Sequence, residues 1–196
     1  MPPPLPSTHR TGRKRARNAL LCLAVLVALF LVALRPLGLI RPFRIPTGAM
    51  TPAVSPGDHL MMEGFSFVAR RPRRGDIIVF ETGNIPGLEK GAIYTKRVAG
   101  EPGEKLRISE GRLQVNGASI SISNVAGEIR YSSVPYAHYL TSDTNTVMVP
   151  EGHYFVLGDN STNSYDSRSW GFLPAGAILG RAWLCYWPPE RAGRIQ

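Results

Sequence analysis

Lys96 and Arg97 are two adjacent cations inside an apolar strand pattern, and they are the residues from which a chemical reading can start. Alternation along a strand sends neighbours to opposite faces. An arginine stays charged and must meet water or an acid, whereas a buried lysine can become neutral, and a neutral amine is a general base. On spacing alone, an ordinary edge-strand lysine is the more economical reading. Two further stretches bear on the choice. Ile45-Pro46-Thr47-Gly48-Ala49-Met50-Thr51-Pro52 is a proline-bracketed loop whose glycine lets another chain come close to the backbone, as a binding loop must. Gly158-Asp159-Asn160 has the sequence of a tight turn. It is followed by Ser164, a hydroxyl able to orient an amine, and by Asp166 and Arg168, which can pair with each other or with loop backbone and stiffen a site. Alone, such a polar run is most often a capped surface loop.

Taken together, the three stretches resemble boxes of the type I signal peptidases, membrane-anchored serine endopeptidases that use a Ser-Lys dyad. Tyr94 to Glu104 matches the family's lysine box, with its Lys-Arg pair and its Gly-x-Pro-Gly-acid turn. Arg74-Gly75-Asp76-Ile77-Ile78-Val79-Phe80 matches a structural box, and the resemblance runs from about Phe43 to Pro174 in the family's order. It implies Lys96 as general base, Ser164 as the hydroxyl that orients it, and an oxyanion hole formed by the residue 49 N–H and the Thr47 hydroxyl. Ile45, Pro46, Met50 and Tyr94 would line shallow pockets for small residues, and Gly158, Asp159, Asn160, Asp166 and Arg168 would support the dyad. It further implies signal peptides and membrane lipid as partners, with no cofactor. One departure bears directly on the chemistry: the family's nucleophilic serine falls at Ala49, whose methyl group has no lone pair. Ala53 and Val54 are milder departures. Two expectations follow: a peptidase that is silent as written, or a natural non-catalytic member that binds signal peptides or partners an active peptidase. Thr47 and Thr51 are the nearest hydroxyls, but an extended loop points them elsewhere.

The chain of 196 residues, 43% hydrophobic, suffices for one core of ordinary size. Its net charge of +9 is concentrated early, with Arg10, Arg13, Lys14, Arg15 and Arg17 preceding the apolar run Ala19 to Leu34. At ~1.5 Å per residue, that run alone falls short of a ~30 Å hydrocarbon core, and extension to Ile40 makes it sufficient if Arg35 snorkels and Pro36 is tolerated. A cleaved signal peptide has the same opening signature, but no small-x-small site precedes Arg41. The sequence therefore predicts a disordered basic cytoplasmic tail over residues 1–18, a transmembrane anchor over 19–40 and an exported domain over 41–196. The expected location is the cell (inner) membrane, single-pass with the N-terminus cytoplasmic.

Beyond the anchor no helical period persists. Strands are expected over His59 to Phe67, Asp76 to Glu81, Ile93 to Ala99, Val147 to Leu157 and Ala182 to Trp187. Lys105 to Ile108 and Leu113 to Val115 form a hairpin through Glu110-Gly111, with Asn116-Gly117 a second tight turn. The fold class is mainly β, a signal-peptidase-type antiparallel fold with one N-terminal transmembrane helix, and residues 105–147 are a candidate second lobe. Trp183, Tyr186 and Trp187 fit an interfacial belt or a core strand equally well. Cys22 and Cys185 are too differently placed for an intrachain disulfide. His59, His138 and His153 are scattered, so no metal is expected. The basic loop Arg70 to Gly75 fits a solvated loop or a contact with anionic headgroups. A self-cleaving Ser-Lys repressor would need a DNA-binding helix-turn-helix in place of the apolar run, so no nucleic-acid partner is expected.

Overall fold

A computed structural model describes residues 9–33, 40–83, 85–134 and 136–195. The chain divides into two units, residues 1–40 and 41–196. Helix α1, His9–Ala33, is built largely of leucine and alanine, strong helix formers without polar side-chain atoms. Leu20, Leu21, Leu23, Leu26 and Phe30 on it are all exposed. The helix opens at His9, so residues 9–18 are helical where the sequence suggests a disordered tail. Among the described residues no helix is long and apolar enough to cross a membrane. Arg35 and Pro36, on which the extended apolar run depends, lie outside the described residues, as does the tail before His9.

The second unit is mainly β. Its strands in chain order are β1 (Ile40–Arg44), β2 (His59–Glu63), β3 (Ile77–Glu81), β4 (Ile93–Gly100), β5 (Lys105–Ser109), β6 (Arg112–Val115) and β7 (Ala118–Ile120). Then come β8 (Ser123–Asn124), β9 (Gly127–Glu128), β10 (Thr146–Met148), β11 (His153–Leu157), β12 (Leu173–Pro174), β13 (Ile178–Trp187) and β14 (Gly193–Arg194). Eight of them form one sheet in the order β1-β2-β13-β3-β4-β11-β12, with β14 on β13. Strand β13 serves two neighbours: Ile178 to Arg181 pairs with β3, and Arg181 to Trp187 pairs with β2. Gly180 sits where the partners change, and a Cβ there would lie 2.5 Å from the Glu63 carbonyl oxygen. The crossing needs a residue without one.

A four-stranded sheet, ordered β10-β5-β6-β7, packs within the same unit. Its two hairpins turn on Glu110-Gly111 and Asn116-Gly117, all four residues with positive φ, the geometry that matches strand twist. Residues 105–147 thus build their own sheet, yet they share a core with the larger one: Leu106, Leu113 and Val147 pack with Ala99, Phe155 and Leu157.

Two expected elements differ, and the expected strand Ala182 to Trp187 lies within β13. The strand from His59 stops at Glu63, whose carboxylate accepts the Ser66 N–H and starts the one-turn helix α2, Ser66–Ala69. Val147 to Leu157 is two strands in two sheets, broken at Pro150-Glu151-Gly152 where Gly152 has φ +72°. Trp183 is half-buried, while Tyr186 and Trp187 are exposed.

Candidate active site

The Ile45–Pro52 loop is held at its first residue before any side-chain chemistry is considered. The Ile45 N–H donates to the Asp58 carbonyl at 2.9 Å, and the Gly57 N–H returns a bond to the Ile45 carbonyl at 2.9 Å. Ile45, Met50 and Val54 drop into a core cluster with Leu60, Met62, Ile77 and Val79. Within the loop, Thr51 N–H donates to Gly48 O and Val54 N–H to Met50 O, two tight turns that present residue 49 between them. Thr51 Oγ1 is directed back at the Val54 carbonyl, 3.5 Å away. Thr47 is exposed.

Lys96 approaches from the sheet. It lies on β4, in register with Ile78 of β3, and is 3% exposed. Its Nζ stands 6.0 Å from the Tyr94 ring centroid. Burial pushes its pKa from 10.5 down to about 8; Asp166 and Asp159 oppose that shift and Arg168 adds to it. The amine is therefore near its neutral form under mildly alkaline conditions, the state a general base requires. Arg97 turns the other way. Its Nε and Nη2 donate to both carboxylate oxygens of Asp159 at 2.8 and 2.7 Å, and its Nη1 donates to the Gly75 carbonyl. The division between the two cations that alternation suggests is present: one is desolvated, the other is matched to an acid.

The third stretch follows directly from β11, which pairs with β4 so that Leu157 lies opposite Arg97. The next residue, Gly158, is where three parts of the site meet. A Cβ on Gly158 would strike Ser164 Oγ and lie 2.5 Å from the Ala49 carbonyl oxygen. Asn160 then ties the stretch to the loop, its N–H donating to Ala49 O at 3.1 Å and its Nδ2 to Gly48 O at 3.2 Å. Asp166 and Arg168, both fully buried, pair bidentately at 2.9 and 2.7 Å. Asp166 also accepts the Gly158 N–H, and the Arg168 guanidinium reaches Ser161 and the Ser132 carbonyl. These charged hydrogen bonds leave the frame few alternative arrangements. Ser164 is buried beside them, and its Oγ makes no hydrogen bond among the described residues. No bond from Ser164 to Lys96 is formed.

A cleft of about 360 Å3 opens beside this junction. Ile45, Pro46, Thr47, Met50, Tyr94 and Lys96 all contribute to its wall, together with apolar groups such as Phe43 and Val79. Ala49 and Ser164 are buried and do not line it. The cleft thus offers apolar surface along its length and one amine of depressed basicity, a form suited to small-residue peptide and to proton transfer. Among the described residues no cluster of His, Cys, Asp and Glu could hold a metal ion.

Two contributors escape a reading of the sequence. Asn124, on the hairpin β8–β9, donates from Nδ2 to Asp159 at 3.1 Å while its Oδ1 accepts the Ala126 N–H. Arg191, near the C-terminus, donates from Nε to Asp58, 2% exposed, beneath the Ile45 loop. Neither carries a motif, because each acts through a contact with residues far away in the chain.

The sequence matches the family described as "Signal peptidase, peptidase S26" over residues 17–187. It is 37% identical over 152 residues to a probable signal peptidase I-2 of Synechocystis, covering 77% of this chain and 65% of that relative, just under two thirds of its length. It is 36% identical over 156 residues to the signal peptidase I of Leptolyngbya laminosa, covering 77% of this chain and 70% of the relative. A probable signal peptidase I-1 of Synechocystis is 33% identical over 174 residues, 87% of this chain and 83% of the relative.

Proposed function

Because the chain belongs to the signal peptidase family of S26 peptidases, a family of serine endopeptidases, we propose that it is a signal peptidase complete in every part but the nucleophilic oxygen. As written, it binds the signal peptides of exported preproteins without cutting them. The observation that carries this is the contrast at one junction: Lys96 is buried with its pKa near 8 and framed by two buried ion pairs, while residue 49 is alanine. A lysine kept desolvated has a cost in stability, and base chemistry is the use that accounts for it.

With serine at position 49 the steps follow from the groups present. The hydroxyl attacks the carbonyl carbon of the scissile peptide bond as neutral Lys96 takes its proton, and the ammonium returns that proton to the leaving amine. The residue 49 N–H and Thr47 hold the oxyanion. Water then hydrolyses the acyl-enzyme with Lys96 again as base. Ile45, Pro46, Met50 and Tyr94 receive the small side chains before the cut. The apolar run Ala19 to Leu34, with the apolar residues that follow it in the sequence to Ile40, anchors the protein in the cell membrane with its basic end cytoplasmic and residues 41–196 on the exported side.

A second reading, a non-catalytic member that captures signal peptides or partners an active peptidase, is favoured by Ala53 and Val54, which pack the loop without polar groups. Detergent-solubilised full-length chain and its Ala49→Ser variant, each given a labelled signal peptide and a preprotein, separate the two. Binding by both and cleavage by the variant alone supports the first. Binding by both with cleavage by neither supports the second, and absence of binding contradicts the first reading and leaves of the second only the partner of an active peptidase.

A further inference from the structure

Besides Lys96, three charged residues contribute to the wall of the cleft: Arg41 and Arg44 from β1, and Glu89 from the loop between β3 and β4. All three are exposed, and none forms an ion pair among the described residues. Elsewhere in the same unit Arg70, Arg74, Arg97, Arg168 and Arg191 are each matched to an acid. Arg41 and Arg44 also follow directly on the proposed anchor, where cations on the exported side work against the positive-inside bias. The proposed reaction gives them no part.

Their place along the cleft says what they can meet. In the proposed reaction the cut falls beside residue 49, and Ile45 and Pro46 receive the small side chains before it. The wall that precedes Ile45 in the chain therefore faces peptide still further upstream. An extended peptide advances about 3.4 Å per residue, so Arg44 and Arg41 come within reach of side chains about three to seven residues before the cut. Glu89 is held in place from behind: Thr82 Oγ1 donates to its carbonyl and accepts the Ala92 N–H at 3.0 Å, which closes the loop at its base. Its carboxylate repels an acid, so an acidic side chain in the cleft is directed to the arginines of β1.

We propose that Arg41 and Arg44 are specificity-determining residues, which favour a peptide carrying an acidic side chain upstream of the small residues at its cut. The apolar pockets near residue 49 read size, and the two guanidinium groups read charge. Because both arginines are exposed, each pair with a peptide carboxylate changes affinity by about fivefold at most, which ranks substrates without excluding any. The inference rests on the peptide-binding reading of the cleft.

The test uses the full chain as written, in a neutral detergent at low salt, with fluorescein-labelled signal peptides identical but for one residue. A single Glu, Gln or Lys is moved through the positions about two to eight residues before the cut, and each Kd is read by fluorescence anisotropy. About three to seven residues before the cut, Glu should bind about fivefold more tightly than Lys. Arg41→Gln and Arg44→Gln should each lower that ratio about twofold, and Arg44→Glu should reverse it at the position Arg44 reads. Lys105→Gln, the same loss of charge on an exposed residue of β5 away from the cleft, should leave the ratio intact. A ratio near one at every position overturns the proposal. A preference that survives both glutamine variants belongs to Lys96 and overturns it as well. So does a ratio untouched by those variants while their retention on phosphatidylglycerol vesicles falls, which assigns the arginines to lipid headgroups. The Gln series separates the two levels: if its peptides bind and charge makes no difference, the charge selection alone is wrong, and if no peptide of any series binds, the peptide-binding reading falls and takes the selection with it.

Discussion

The two halves of the site are built from different materials. The Ile45–Pro52 loop is held largely by backbone hydrogen bonds and by apolar side chains dropped into a core, and residue 49 within it is alanine. The opposite half, Lys96-Arg97 with Gly158 to Arg168, is held by two buried ion pairs. A loop fixed through its backbone can carry alanine or serine at position 49 without disturbing the rest, because its bonds there run through main-chain atoms. A frame fixed through side chains has no such freedom, since removing one member strands a buried charge. Chemistry can therefore vanish at position 49 while the architecture around it stays whole.

Breaking the frame should have the largest effect. Arg168→Met leaves Asp166 buried and unpaired, so unfolding free energy should fall by about 3–5 kcal/mol in a denaturant titration. An unchanged midpoint would mean that the frame is not what holds the site.

Lys96→Met should do the reverse. The lysine pKa is depressed in the fold from 10.5 to about 8, so below pH 8 the folded state pays for a buried charge that the unfolded state solvates. The variant should be more stable by about 3 kcal/mol there. The unfolded chain binds more protons between the two values, so the native protein should gain stability as pH rises from about 8 to 10.5, and the difference between the two should close. Parallel stability curves across that range would contradict the desolvated lysine.

Gly158→Ala sharpens the comparison at the point where the halves touch. Its methyl would collide with Ser164 and with the Ala49 carbonyl, which is backbone and cannot swing aside. A loss of about 1–3 kcal/mol is expected in thermal melts, together with loss of signal-peptide binding. The smallest effect should come from the loop side. Arg191→Ala removes the partly exposed partner of Asp58, itself 2% exposed and still bonded to the Ser55 N–H, and about 1–2 kcal/mol should be lost, with peptide affinity little changed.

That Lys96 and Arg97 face opposite ways was legible in the sequence, because strand alternation is local; the burial of Lys96 was not, since spacing alone favours an edge-strand lysine and β4 lies inside the sheet between β3 and β11. The tight turns at Glu110-Gly111 and Asn116-Gly117 were legible because their signals are local too. The end of β2 was not, since Glu63 capping Ser66 outweighs a run that otherwise reads as strand. Asn124 and Arg191 were invisible: each matters through a partner 35 and 133 residues away, and no spacing encodes that. The hydrogen-bond state of Ser164 is likewise a matter of tertiary placement, and its buried hydroxyl makes no bond among the described residues where the family pattern implies one to Lys96.

The roles of residue 49 and Lys96 meet in one experiment: preprotein cleavage measured against pH for the full-length chain as written, for Ala49→Ser, and for Ala49→Ser with Lys96→Ala. No cleavage is expected from the first. The second should cleave at a rate that rises with pH through about 8 as Lys96 loses its proton, and the third should not cleave at all. Cleavage by the chain as written, or by the double variant as fast as by the single one, would show that neither residue 49 nor Lys96 holds the role assigned to it.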